Sequence, residues 1–110
     1  MASDLEALDG AQALRDRVIR KIRDHEAGLR ALGVTKLWLF GSLARGDARP
    51  DSDVDVLIDI VSGRKFSLLD LAEVRLALCD LLGRDAGVMI REDLRPRFRD
   101  RIADDLVEVF

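Results

Sequence analysis

Apolar residues recur along this chain with two different periods. From Ala11 to Leu32 they fall at Leu14, Val18, Ile22, Leu29 and Leu32, with charged residues between. That spacing predicts a helix with one buried face, and Gly33 supplies its stop. The first ten residues are polar and are expected to fray. Lys36 to Phe40 is a short apolar run containing Trp38 and reads as a buried strand. Asp53 to Ile60 alternates instead: Val54, Val56, Ile58 and Ile60 face one way, Asp53, Asp55, Leu57 and Asp59 the other. This predicts a strand with one buried face.

Between the two strands, Ser42 to Gly46 has the length of one helical turn, and Asp47 to Ser52 is turn-rich, with Pro50 as a breaker. Downstream, Ser67 with Asp70 three residues on resembles a capping box. Leu68, Leu71, Val74, Leu78 and Leu81 continue a second helix, which Gly83 closes. Ala86 to Ile90 is a third short strand. A last helix starts near Pro96 and carries Phe98, Ile102 and Leu106 on one side, while Val107 to Phe110 is left unassigned. The order predicts an α+β fold, a small mixed β-sheet with helices packed against it, and one domain spanning 1–110.

Composition narrows the function classes. The chain has 110 residues, 48% hydrophobic and 35% charged, with a net charge of −3. That suits a soluble globular protein and gives no broad basic surface for nucleic acid. No apolar run approaches membrane-spanning length and no apolar signal core opens the chain, so a cytoplasmic protein without membrane contact is expected. The single Cys79 lies in the second helix and reads as a packed thiol.

The chemistry concentrates between the first two strands. Asp53 and Asp55 share one face of a rigid strand. Paired carboxylates there can hold Mg²⁺ or Mn²⁺, hard cations that take oxygen ligands and complete their shells with substrate phosphates. Gly41 allows close backbone approach to a triphosphate, and Ser42 can donate its hydroxyl to a phosphate oxygen. Arg45 is either a phosphate ligand or a brace for the loop. Gly-Ser after a strand is usually only a turn, and Asp-x-Asp usually a solvated edge. Strand, Gly-Ser, ten residues, then Asp-x-Asp on a second strand is far more specific. Asp59 reads as a strand terminus, Asp47 and Asp51 as turn residues, His25 as a solvated surface residue and Trp38 as core.

Gly41-Ser42-x10-Asp53-Val54-Asp55 resembles the motif of the DNA polymerase β-like nucleotidyltransferase superfamily. The short length, the Gly-Ser-Leu-Ala-Arg-Gly form and the later Ser-Leu-Leu-Asp-Leu-Ala segment look like its minimal, MNT-type members. The resemblance implies the polymerase β-like fold, ATP as substrate, Asp53 and Asp55 as catalytic metal ligands, and Gly41 and Ser42 as the nucleotide-binding pair. Members of that group are commonly antitoxins paired with HEPN-type toxins. Some transfer AMP from ATP to a tyrosine hydroxyl of the toxin.

One position departs from the resemblance. The family's third carboxylate falls on the next strand, where this chain has Gly87. Asp85 is two residues away, about 6–7 Å along a strand, beyond the reach of magnesium bonds of about 2.0–2.1 Å unless the register shifts. Loss of a general base typically costs about 10²–10⁴-fold. Two functions therefore stand: an antitoxin that transfers AMP from ATP-Mg to a partner hydroxyl, and a catalytically impaired antitoxin that neutralises its partner by binding alone. Small-molecule adenylylation, a third reading, needs an acceptor region for which the chain has little room unless it forms a homo-oligomer.

Overall fold

The chain opens with two helices and then lays down its sheet around the second strand. In a computed structural model, the described residues are 3–63 and 65–110, with side chains described for 10, 12–63 and 65–110. Helix α1 spans Ser3–Asp24 and α2 Glu26–Ala31. The expected fraying of the first ten residues is corrected from Ser3 onward, since the backbone there is helical. Residues 1 and 2 lie outside the described ones.

The single helix expected over 11–32 is broken at His25. The His25 amide bonds the Ile22 carbonyl, a tighter i−3 contact, while its ring Nδ1 lies 3.1 Å from the Lys21 carbonyl that a regular turn would use. The break lets α2 turn Leu29 into the core. His25 itself is exposed, as expected.

Strand β1 is Val34–Phe40, β2 Val54–Ile60, β3 Ala86–Ile90 and β4 Val107–Glu108. Their spatial order is β3-β2-β1-β4. The central β1 runs antiparallel to β2 and β4, and β2 runs parallel to β3. A parallel pair needs a crossover. Here it is α4, Leu68–Leu82. The expected capping box is present, with the Ser67 hydroxyl accepting from the Asp70 amide and the Asp70 carboxylate accepting from the Ser67 amide. Gly83 closes the helix in the left-handed region at φ 67°.

The sheet is covered unequally on its two faces. On one face α1, α2 and α4 bring Val18, Ile22, Leu29, Val74 and Leu78 against the inward residues of the strands, forming the main core. At about 1.5–3 kcal/mol for each fully buried aliphatic side chain, this face dominates the hydrophobic stabilisation. The other face is covered only by α5, Pro96–Ile102, and by Leu94 and Leu106 around it. A small cluster of Phe40, Leu57 and Ile102 forms there. The one-faced burial expected for β2 is thus corrected, because Leu57 is as buried as its neighbours on the opposite face. Trp38, expected in the core, is half-buried on this thinner face with the Arg91 guanidinium 5.1 Å over its ring.

One further expectation changes. Leu68 is 84% exposed and belongs to no core line, because the core line of α4 begins deeper along the helix, at Leu71 and Val74. Cys79 is half-buried and packs against the main core, as expected of a packed thiol. Among the described residues, no helix is long and apolar enough to cross a membrane.

Candidate active site

The site forms where β1 ends. Phe40 is fully extended, and the next residue reverses the chain: Gly41 has φ +75°, in the left-handed region that side chains disfavour. The reversal opens α3, Gly41–Arg45, a single turn closed by Gly46. Leu43 and Ala44 anchor this turn in the main core, and Arg15 Nη1 donates to the Ala44 carbonyl at 3.2 Å. The Asp47 amide bonds the Ser42 carbonyl, and the Arg49 amide bonds Ser52 Oγ at 2.9 Å, so the turn-rich segment folds back to start β2.

Register places the acidic pair. Asp55 is the cross-strand partner of Phe40 on one side and of Gly87 on the other. Asp53 immediately precedes β2, and Asp85 immediately precedes β3, where its carbonyl accepts from the Val54 amide. A side chain at Gly41 would begin against Asp55 Oδ2 and 3.3 Å from Asp55 Cγ. The glycine of the cradle is therefore required twice, for its φ and for the carboxylate packed on its backbone. At Gly87 the backbone is ordinary for an L-residue, and a side chain would begin 3.8 Å from Asp55 Oδ1. The two oxygens of Asp55 thus look toward two glycines on opposite sides.

Asp55 is electrostatically stressed. Half-burial pushes its carboxyl above the usual aspartate range, the Asp53 charge pushes it further the same way, and Arg45 pulls it partly back. Two carboxylates in mutual repulsion are a donor set that a divalent cation relieves. Among the described residues no cluster of three or more acidic, histidine or cysteine side chains forms. The residues present therefore fit a cation held by Asp53 and Asp55, with water and phosphate oxygens filling the rest, a mode usual for Mg²⁺. Asp85 does not join the pair.

Arg45 sits next to the cradle but is engaged. Its Nε donates to Asp47 Oδ2 at 3.3 Å and its Nη1 to Asp105 Oδ2 at 3.1 Å. These contacts brace the loop against the turn at 103–105. Ser42 is half-buried. Asp59 lies at the far end of β2, gripped by both arms of Arg91 at 2.8 Å. A cleft of about 380 Å³ opens at that end beside Asp59 and Arg91. Of the two acidic residues in its lining, Asp59 and Glu92, the first is already held by the arginine fork.

A smaller cleft of about 280 Å³ opens at Asp55 itself, lined by Phe40, Gly87, Val88, Met89 and Phe98. Phe40 and Phe98 meet edge to face, with centroids 6.1 Å apart. The sequence reading missed these residues as part of the site. The available signals were that Phe40 directly precedes Gly41 and that Met89 shares the strand face of Gly87. Nothing local places Phe98 there.

Similarity to known proteins agrees with this geometry. The profile of the nucleotidyltransferase domain family matches residues 17–109. The protein adenylyltransferase MntA of Thermococcus cleftensis is 34% identical over 86 residues, 77% of this chain and 85% of that protein. A solved structure provisionally identified as a minimal nucleotidyltransferase superposes with a TM-score of 0.62 at 34% identity, covering 91% of this chain and 93% of that one. A chain of a toxin–antitoxin complex solved with AMP-PNP superposes with a TM-score of 0.63 at 16% identity, covering 87% of this chain and 72% of that one, which is a likeness of fold. The glycine reversal, the acidic pair at the start of β2 and these matches lead to one conclusion: the chain belongs to the nucleotidyltransferase domain family, among its minimal, MNT-type members.

Proposed function

We propose that this protein is an MNT antitoxin that binds ATP with a divalent cation and transfers AMP to a hydroxyl of a partner HEPN-type toxin. The observation that carries the reading is the packing of Gly41 on Asp55, which sets a bare backbone cradle directly against a charge-stressed carboxylate pair. The names of the similar proteins support it: one relative is a protein adenylyltransferase, and one structural neighbour is part of a toxin–antitoxin assembly with an ATP analogue.

In this reading Asp53 and Asp55 hold the cation, which when bound supplies charge neutralisation at the α-phosphate and the leaving pyrophosphate. Gly41 lets the phosphate chain approach the backbone, and the Ser42 hydroxyl donates to a phosphate oxygen. Arg45 holds the loop in place through Asp47 and Asp105. The main catalytic contribution of such a site is position and electrostatics, since phosphoryl-type transfer asks little covalent chemistry of the protein.

A second reading is favoured by one observation. The residue beside Asp55 on β3 is Gly87, and among the described residues no third carboxylate joins the pair. In that case the protein neutralises its partner by binding alone. The test is incubation with ATP labelled in the α-phosphate and Mg²⁺, with and without a candidate HEPN-type partner. Transfer predicts label on the partner only. This chain has no tyrosine, so it offers no phenol of its own. An unlabelled but neutralised partner selects the second reading, and strong label on the isolated chain overturns the first.

A further inference from the structure

We infer that the cleft at the far end of β2 is a second binding site, for a small zwitterion: an α-amino acid with an aliphatic side chain, its carboxylate on Arg99 and its ammonium on Glu92. The site stands apart from the proposed transfer. Asp59 lies four residues beyond Asp55 on β2, about 13 Å along the strand, and neither Asp53 nor Asp55 lines the cleft.

Two acids and two bases from separate elements meet in the lining. Asp59 comes from the end of β2, Arg91 and Glu92 from the short turn Arg91–Asp93 after β3, and Arg99 from α5. Asp59 and Arg91 satisfy each other through two hydrogen bonds of 2.8 Å, a bidentate fork that fixes both side chains. Glu92 and Arg99 are exposed, and among the described residues neither enters an ion pair. They line one cleft, yet they stand too far apart to pair with each other. A simple anion there is attracted by Arg99 and repelled by Glu92, and a simple cation meets the reverse. A ligand that carries an ammonium and a carboxylate close together answers both charges at once.

The rest of the lining sets the size of the guest and its apolar part. The cleft holds about 380 Å³, within the roughly 300–1,000 Å³ typical of small-molecule sites. Ile60 and Ile90 are half-buried against the main core and also border the cleft, which favours an aliphatic side chain on the ligand. Thr35 borders it as the extra residue of a β-bulge: Val34 pairs with Ile60 and Lys36 with Asp59, so Thr35 has no cross-strand partner on β2. Bulges re-aim a side chain where a regular ladder would not. Arg30 Nη1 donates to the Thr35 carbonyl at 2.8 Å and ties this bulge to α2.

The test uses the full chain labelled at the isoleucine δ1 methyls and titrated separately with L-leucine, N-acetyl-L-leucine and L-leucinamide. The first probe carries both charges, the second only the carboxylate and the third only the ammonium. Saturable shifts of the Ile60 and Ile90 signals are expected with L-leucine, at an affinity about tenfold or more above either single-charge probe. Ile22, fully buried in the main core, is the unmoved reference. Arg99→Ala and Glu92→Gln change exposed residues and should fold, as circular dichroism checks, and each should weaken the leucine response about tenfold. No saturable shift with L-leucine, or an undiminished response in either folded variant, overturns the inference. An N-acetyl-L-leucine response equal to that of L-leucine also overturns it and makes the cleft a plain anion site. Displacement of L-leucine by ATP-Mg overturns it as well, because the cleft then belongs to the nucleotide.

Discussion

Gly87 is the direct neighbour of Asp55 in the parallel ladder of β2 and β3, and its absent side chain would begin 3.8 Å from Asp55 Oδ1. The position is structurally ready for a carboxylate. It has ordinary backbone angles, ordinary contact distance and an exposed setting. The missing third acid is therefore a property of one side chain and not of the fold around it.

Gly87→Asp is expected to fold and to bind Mg²⁺ more tightly than wild type, because a third oxygen ligand joins Asp53 and Asp55. Without metal it should melt at lower temperature, since a further negative charge meets Asp55. Calorimetric titration with Mg²⁺ of wild type, Gly87→Asp and the isosteric Gly87→Asn checks this. Equal affinity in all three would show that position 87 does not face the cation.

The two glycines beside Asp55 should respond oppositely to the smallest side chain. Gly41→Ala meets both a positive φ and the Asp55 carboxylate, so a loss of about 1 kcal/mol or more is expected, together with loss of nucleotide binding. Gly87→Ala should be near neutral or slightly stabilising, as glycine weakens strands. Denaturant melts of both variants decide the matter, and a tolerated Gly41→Ala would refute the close-packing argument.

Asp53→Asn and Asp55→Asn should each reduce the Mg²⁺-dependent part of ATP binding. A loss of roughly 10–100-fold is reasonable, the range seen when even the outer support of a metal site is removed. ATP affinity is measured with and without Mg²⁺ for each variant. If the metal has the same effect on wild type and variants, the pair does not hold it.

Stability should depend on pH through Asp55. Its native carboxyl titrates above the ordinary range because of burial and the Asp53 charge, so the folded chain keeps this proton to higher pH than the unfolded chain. Where the native state binds more protons, stability falls as pH rises. The stabilisation is complete below the unfolded aspartate value and is lost as pH rises through the native one. Metal-free Asp55→Asn should therefore lack this loss and melt above wild type at neutral pH, with the difference shrinking in acid. Thermal melts across that range test it. A variant less stable than wild type at neutral pH would reverse the assigned sign.

Much of this architecture was legible because local rules and tertiary structure agree. The capping box at Ser67 and Asp70, the Gly83 stop and Pro96 opening the last helix all rest on local chain geometry within a few residues. The Gly41-Ser42 turn and the acidic pair were legible for the same reason. What could not be read depends on long-range partners. The break at His25 follows from a competition for one carbonyl, Leu57 is buried by a helix forty residues later, and Arg45 finds Asp105 sixty positions away. Phe98 enters the cleft by the same route, from an element whose placement no spacing rule encodes.

The placement of Arg91 over the Trp38 ring, with Asp59 holding the guanidinium through two hydrogen bonds, has an optical consequence. Trp38 is the sole tryptophan and the chain has no tyrosine. Intrinsic fluorescence therefore comes from a single indole on the thinly covered face, beside the strand pairing of β1 with β2. Emission is a native gauge of whether that face stays closed, and in a mixture with another protein every tyrosine signal belongs to the other protein.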